Sequence, residues 1–66
     1  MLELRDLDNN LVYVNPSTIV QFYYYSNLFQ PLHVRIELVN GRSIKTLVSI
    51  GQLQYLIEQW EFSRVG

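Results

Sequence analysis

Two carboxylates two residues apart, Asp6 and Asp8, are the closest this chain comes to an acid–base or cation-binding pair. They sit in the stretch Asp6-Leu7-Asp8-Asn9-Asn10, where Asp and Asn are favoured as turn formers because their side chains bond to nearby backbone. A hard cation takes six or more oxygen ligands, and the surrounding sequence offers too few. His33 is the single histidine. It falls on the polar side of an alternating segment, where a solvated or hydrogen-bonded role is expected rather than catalysis. Ser17, Ser26, Ser43, Ser49 and Ser63 have no cysteine, histidine or lysine partner in a recognisable arrangement. The chain has no cysteine, which excludes disulfides and thiolate zinc sites. Gly41 reads as a turn glycine and Gly51 as a helix glycine, not as parts of a phosphate loop. The expectation is no catalytic residue, no cofactor and no metal site, hence not an enzyme.

What remains is recognition chemistry. Gln21-Phe22-Tyr23-Tyr24-Tyr25-Ser26-Asn27 places four aromatic rings in succession. A strand sends neighbouring side chains to opposite faces, so Ile19, Gln21, Tyr23 and Tyr25 fall on one face and Val20, Phe22 and Tyr24 on the other. Both faces are largely apolar. In an ordinary packing role the strand is central in a curled sheet. In a functional role one face meets a second chain, for which tyrosine suits by joining an apolar body to a hydrogen-bonding tip. The expected interface residues are Tyr13, Phe22, Tyr23, Tyr24, Tyr25 and Phe29. The competing reading, a small barrel that binds a ligand or single-stranded nucleic acid by stacking, wants basic residues interleaved with the rings. Residues 6–34 contain no Lys or Arg and the net charge is −1, so no basic footprint accompanies the tyrosines.

Size favours association. Sixty-six residues make one domain, 1–66. A chain this short buries only about 60 % of its unfolded surface and commonly needs a disulfide, a metal or a partner. With 48 % hydrophobic residues and no cysteine, self-association is the remaining aid, as a dimer or higher oligomer, alongside a protein partner the sequence does not name. The stretch MLELRDLDNN is interrupted by Glu3, Arg5 and Asp6, unlike a signal peptide. No apolar run approaches the roughly 18–20 residues of a membrane span. The expectation is a cytoplasmic protein with no membrane association.

The elements that must position these residues follow from pattern. Leu2-Glu3-Leu4-Arg5 alternates with period two and Leu11–Val14 is a short apolar run, together a hairpin across the Asp8-Asn9-Asn10 turn. Asn15-Pro16 breaks the second strand and suits one helical turn capped by Asn15. Ile19–Tyr25 reads as a third strand, 26–31 as a loop, and Leu32, Val34, Ile36 and Leu38 as the apolar side of a fourth. A three-residue loop, Val39-Asn40-Gly41 with Gly41 left-handed, places Ile36 opposite Ile44 and Leu32 opposite Val48, whereas a two-residue Asn-Gly loop would set Ile36 against Lys45. The fifth strand is then about 42–47. Ser49-Ile50-Gly51-Gln52 resembles a capping box, and Ile50, Leu53, Leu56, Ile57 and Trp60 recur at helical spacing to about Phe62. The fold class is α+β: a small antiparallel β-meander of about five strands, open to curling, then one C-terminal amphipathic helix. The expected core is Leu2, Leu4, Val34, Ile36, Ile44, Leu53, Ile57 and Trp60.

The order Met1-Leu2-Glu3-Leu4, Leu7-Asp8-Asn9, Val14-Asn15-Pro16 with Ile19 following, and Val34-Arg35-Ile36-Glu37-Leu38 closed by Gly41 before a strand and a helix is similar to the small flagellar-associated FlbD/SwrD family. The chain departs from that family's pattern at the Asn9-Asn10 turn, in the longer, apolar loop 25–31 and in the segment Leu47-Val48-Ser49-Ile50. The resemblance implies a cytoplasmic accessory protein of the motility apparatus that works through contacts and without chemistry. It carries no catalytic residue over to this chain. Similar small chains also occur among bacterial and phage proteins.

Overall fold

The computed structural model describes residues 1–65, with side chains described as far as Ser63. β1 (Leu2–Arg5) and β2 (Leu11–Val14) form an antiparallel hairpin. β3 (Ile19–Tyr25), β4 (His33–Leu38) and β5 (Ser43–Thr46) form an antiparallel meander, and α1 (Ile50–Val65) follows. The α+β architecture of five antiparallel strands and one C-terminal helix is as expected, but the strands divide into a two-stranded and a three-stranded sheet.

Each turn is set by local chemistry. Asp6 Oδ1 accepts the Asp8 N–H at 2.9 Å and the Asn10 N–H at 2.8 Å, which leaves Asn9 at φ 64°, a conformation Asn tolerates. Asn15 Oδ1 accepts from the Ser17 N–H and caps a single 3₁₀ turn, Pro16–Thr18. Between β4 and β5 the Leu38 N–H reaches the Arg42 carbonyl at 2.9 Å, and Gly41 lies at φ 84°. That is the three-residue loop, and Ile36 faces Ile44 across it. Leu32 lies outside β4, so the expected pairing with Val48 is not formed.

One register differs from simple alternation. Ile19 faces Leu38 while Gln21 faces Glu37, so β3 carries one extra residue at its start. This bulge at Val20 turns Ile19 to the core side with Phe22, whereas strict alternation placed it with Tyr23 and Tyr25. A bulge shifts every residue before it to the opposite face.

Among the described residues the two sheets meet at one bridge, Asp6 to Thr46. Thr46 Oγ1 donates to the Arg5 carbonyl at 2.8 Å and accepts the Val48 N–H at 3.2 Å. Its side chain is wholly buried. The curl created there folds both sheets around one apolar centre: Leu2, Leu4 and Val14 from the hairpin, Val34 and Ile36 from β4, and Leu53 from the helix. Ile44, Ile57 and Trp60, expected in that core, pack against it only partly buried. Val14 joins it although the pattern did not single it out.

Ser49 caps α1. Its Oγ accepts the Gln52 N–H at 3.1 Å and its carbonyl accepts the Leu53 N–H at 2.9 Å. The return bond expected from the Gln52 side chain is not made, so only half of the capping box is present. Ile50, Leu53, Leu56, Ile57 and Trp60 form the inward stripe, while Tyr55 and Phe62 stay exposed.

Replacing Thr46 by valine keeps its shape and removes the hydroxyl. Two backbone groups then lose their partner in a buried setting, at a cost of about 1–3 kcal/mol. Urea unfolding of T46V is expected to show a lower midpoint with an unchanged slope; an unchanged midpoint would show that the junction is not a source of stability.

Candidate interaction surface

The meander has two faces. Phe22, Val34, Ile36 and Ile44 look inward. Gln21, Tyr23 and Tyr25 on β3 share the outward face with His33, Arg35 and Glu37 on β4, each opposite its partner across the pair. Lys45 on β5 extends the row through Arg35.

Polar contacts order this outer face. The Glu37 carboxylate accepts from Gln21 Nε2 and from the Tyr23 hydroxyl, both at 2.7 Å. Arg35 holds its guanidinium carbon 5.1 Å from the centre of the Tyr25 ring, within cation–π range. His33 meets the edge of the same ring at 5.6 Å. The alternating pattern placed His33 on a solvated strand face; the structure buries it, at 2 % exposure, because Tyr25 and the incoming chain at Pro31 close over the ring. Its Nδ1 lies 2.9 Å from the Pro31 carbonyl. A carbonyl can only accept, so Nδ1 carries the proton. Hydrogen bonding is thus the role His33 has here.

The expected interface residues are dispersed. Tyr23 and Tyr25 are half-buried on the outer face. Tyr24 looks the other way, half-exposed, and its hydroxyl accepts the Ile50 N–H at 3.3 Å, tying β3 to the start of α1. Phe22 packs against the core. Tyr13 is exposed on β2, and Phe29 stands out at 91 % exposure beside Leu28 at 97 %. That loop tip is held by Asn27, whose Oδ1 accepts the N–H groups of Phe29 at 2.8 Å and Gln30 at 2.7 Å. Gln21, Arg35 and Glu37, which organise the tyrosines, were not picked out in the sequence. The signal was present in the β4 alternation, where Arg35 and Glu37 fall opposite the apolar stripe, but only the β3–β4 register reveals which ring each one meets.

A shallow groove of about 410 Å³ lies between the β1–β2 turn and β5, lined by Asp6, Asp8, Val12, Ile44 and Lys45 among others. Asp6 spends one carboxylate oxygen on its own turn. No group of three or more His, Cys, Asp or Glu side chains suited to a metal ion occurs among the described residues, and no helix there is long and apolar enough to cross a membrane.

Compared with protein-family models, curated proteins and solved structures, the chain matches none.

The Glu37 cluster makes a pH signature. Hydrogen bonds from Gln21 and then Tyr23 hold the Glu37 carboxyl below its ordinary value of 4.5. The bond to Glu37, aided by burial, pushes the Tyr23 hydroxyl above its ordinary 10.0. A lowered acid stabilises the fold above its unfolded value and loses that as pH falls through its folded value. A raised phenol stabilises the fold below its unfolded value and loses that as pH rises through its folded value. NMR titration of the Glu37 carboxyl is expected to give a value under 4.5 that climbs in Tyr23→Phe and climbs further with Gln21→Ala added. A value that ignores both changes would show that these contacts do not persist in solution.

Proposed function

We propose that this protein is a non-catalytic interaction module that works as a homo-oligomer, through contacts made by its aromatic strand β3. The observation that carries the reading is an imbalance of burial. Among the described residues six apolar side chains are buried, while Tyr13, Val20, Tyr24, Leu28, Phe29, Tyr55, Phe62 and other large apolar side chains remain exposed. A chain this short that keeps so few apolar side chains from water commonly gains its remaining stability by association. Shape supports it: the chain measures 44 × 22 × 19 Å with a radius of gyration of 12.0 Å, against about 11 Å for a compact chain of this length. The resemblance to the FlbD/SwrD family supplies the setting within this proposal, an accessory role in the cytoplasm beside the motility apparatus.

One observation favours a second reading. The sequence separates the tyrosines from basic residues, yet β4 and β5 bring Arg35 and Lys45 into the same row as Tyr23. A small sheet with rings and cations side by side can stack single-stranded nucleic acid. Two features weigh against it: Arg35 already covers the Tyr25 ring, and the Glu37 carboxylate at the centre of the patch repels phosphate.

Sedimentation from low to high micromolar concentration separates the readings when run beside a titration of tyrosine fluorescence with single-stranded oligonucleotides. The expected result is a mass that rises with concentration, a melting temperature that rises with it, and no response to oligonucleotide. A constant monomer mass with saturable, salt-sensitive oligonucleotide binding would reverse the choice.

A further inference from the structure

The hydrogen-bond phase of the meander identifies which backbone groups of β3 are free. The Leu38 N–H bonds to Arg42 on the β5 side, and the next residue, Val39, sends its N–H to the Thr18 carbonyl on the β3 side. Antiparallel strands alternate in this way residue by residue. Ile36 and Val34 therefore direct their backbone groups at β5, and Glu37, Arg35 and His33 direct theirs at β3. Their partners are Gln21, Tyr23 and Tyr25. The intervening residues, Phe22 and Tyr24, turn N–H and C=O away from β4, and no described segment bonds to them.

β3 is thus an open edge of the three-stranded sheet, and it is poorly defended. Edge strands are usually protected by charge, proline, shortness or a bulge. The seven residues of β3 include no charged residue and no proline. Its one protective device is the bulge at Val20, which lies near its start and leaves 21–25 regular.

We infer that a second copy of this chain adds at the β3 edge, antiparallel, about a twofold axis at Tyr23. This rests on the self-associating reading above and specifies its geometry. In this register Phe22 faces Tyr24 of the second copy, and Tyr24 faces Phe22. Each pair exchanges two N–H···O=C bonds, so all eight free groups of the two strands are used. Tyr23 meets its own equivalent in the closely spaced, non-hydrogen-bonded position between them. Gln21 lies opposite Tyr25 on the outer face. No like charges meet anywhere along the seam, because the strand has none. The product is a six-stranded sheet, β5-β4-β3 continued by β3-β4-β5. Since the contact uses the same edge of both copies, it closes at two chains and does not propagate. The succession of rings at 22–25 also gains a reason: across the new seam they build two Phe22–Tyr24 pairs on the inner face and a Tyr23–Tyr23 pair on the outer face.

The chain has no native cysteine, so engineered thiols report the register directly. At a non-hydrogen-bonded pair the Cα atoms lie about 4.5 Å apart, inside the range a disulfide spans. Tyr23→Cys is expected to give a cross-linked dimer in near-complete yield on air oxidation. Val20→Cys, exposed and on the same strand, is expected to give none, since its equivalents would lie about 20 Å apart. A synthetic full-length chain with an N-methyl group on the Tyr24 amide keeps every bond to β4 and loses two at the seam. Its dimer dissociation constant is expected to rise about tenfold or more. Circular dichroism checks that each variant is folded. Should wild type sediment as a dimer while Tyr23→Cys fails to cross-link and N-methylation changes nothing, the β3 seam is overturned and self-association stands. Should wild type remain a monomer of 7.8 kDa at high micromolar concentration, both are overturned.

Discussion

The hydroxyl of Thr46 is the joint on which the rest of the molecule turns. Two small sheets, one of them a hairpin that is marginal by itself, are connected among the described residues at one bridge, and this side chain bonds across it to the Arg5 carbonyl while also receiving the Val48 N–H. The joint determines the curl, and the curl brings residues from the hairpin, the meander and the helix to one apolar centre. It also joins β1 to β5, which makes β2 and β3 the two outer strands. The exposed edge of β3 therefore follows from the same contact that builds the core.

Buried area alone does not explain β3. Its inward side chains have work within the chain: Phe22 packs on the core and Tyr24 receives the first N–H of the helix. Its outward side chains are organised by β4, where Glu37 holds Tyr23 and Arg35 lies over Tyr25. On both faces the rings of 22–25 have partners within the chain, although Tyr24 stays half-exposed, while the backbone edge has none among the described residues. Tyrosine fits that situation, since each ring serves a face of the monomer while its backbone remains available for pairing.

Much of the fold was legible because it rests on local rules. Asp6 and Asn15 announce turns, Gly41 sets a hairpin length that decides which face Ile36 shares with Ile44, and Ser49 starts the helix. What the sequence hid depends on pairing between distant segments. Val14 is short and sits beside Asn15-Pro16, so nothing marks it as core until β1 lies beside it. The Val20 bulge has no signature of its own, and it moved Ile19 to the other face. His33 looked like a polar outward residue because its neighbours alternate; Tyr25 buries it, and only the register shows that. The same limit applied to the surface: six aromatic candidates could be named, but their division among core, helix cap, sheet face and loop tip required the register.

Amide hydrogen exchange at Phe22 and Tyr24 tests the central claim most directly. In a lone chain these N–H groups face water and those of Gln21, Tyr23 and Tyr25 face β4. If β3 pairs with a second copy, Phe22 and Tyr24 are expected to be protected to a degree that grows with protein concentration, approaching that of Tyr23. Rapid exchange at both, beside protected neighbours and at concentrations where the chain is associated, would contradict pairing through this edge.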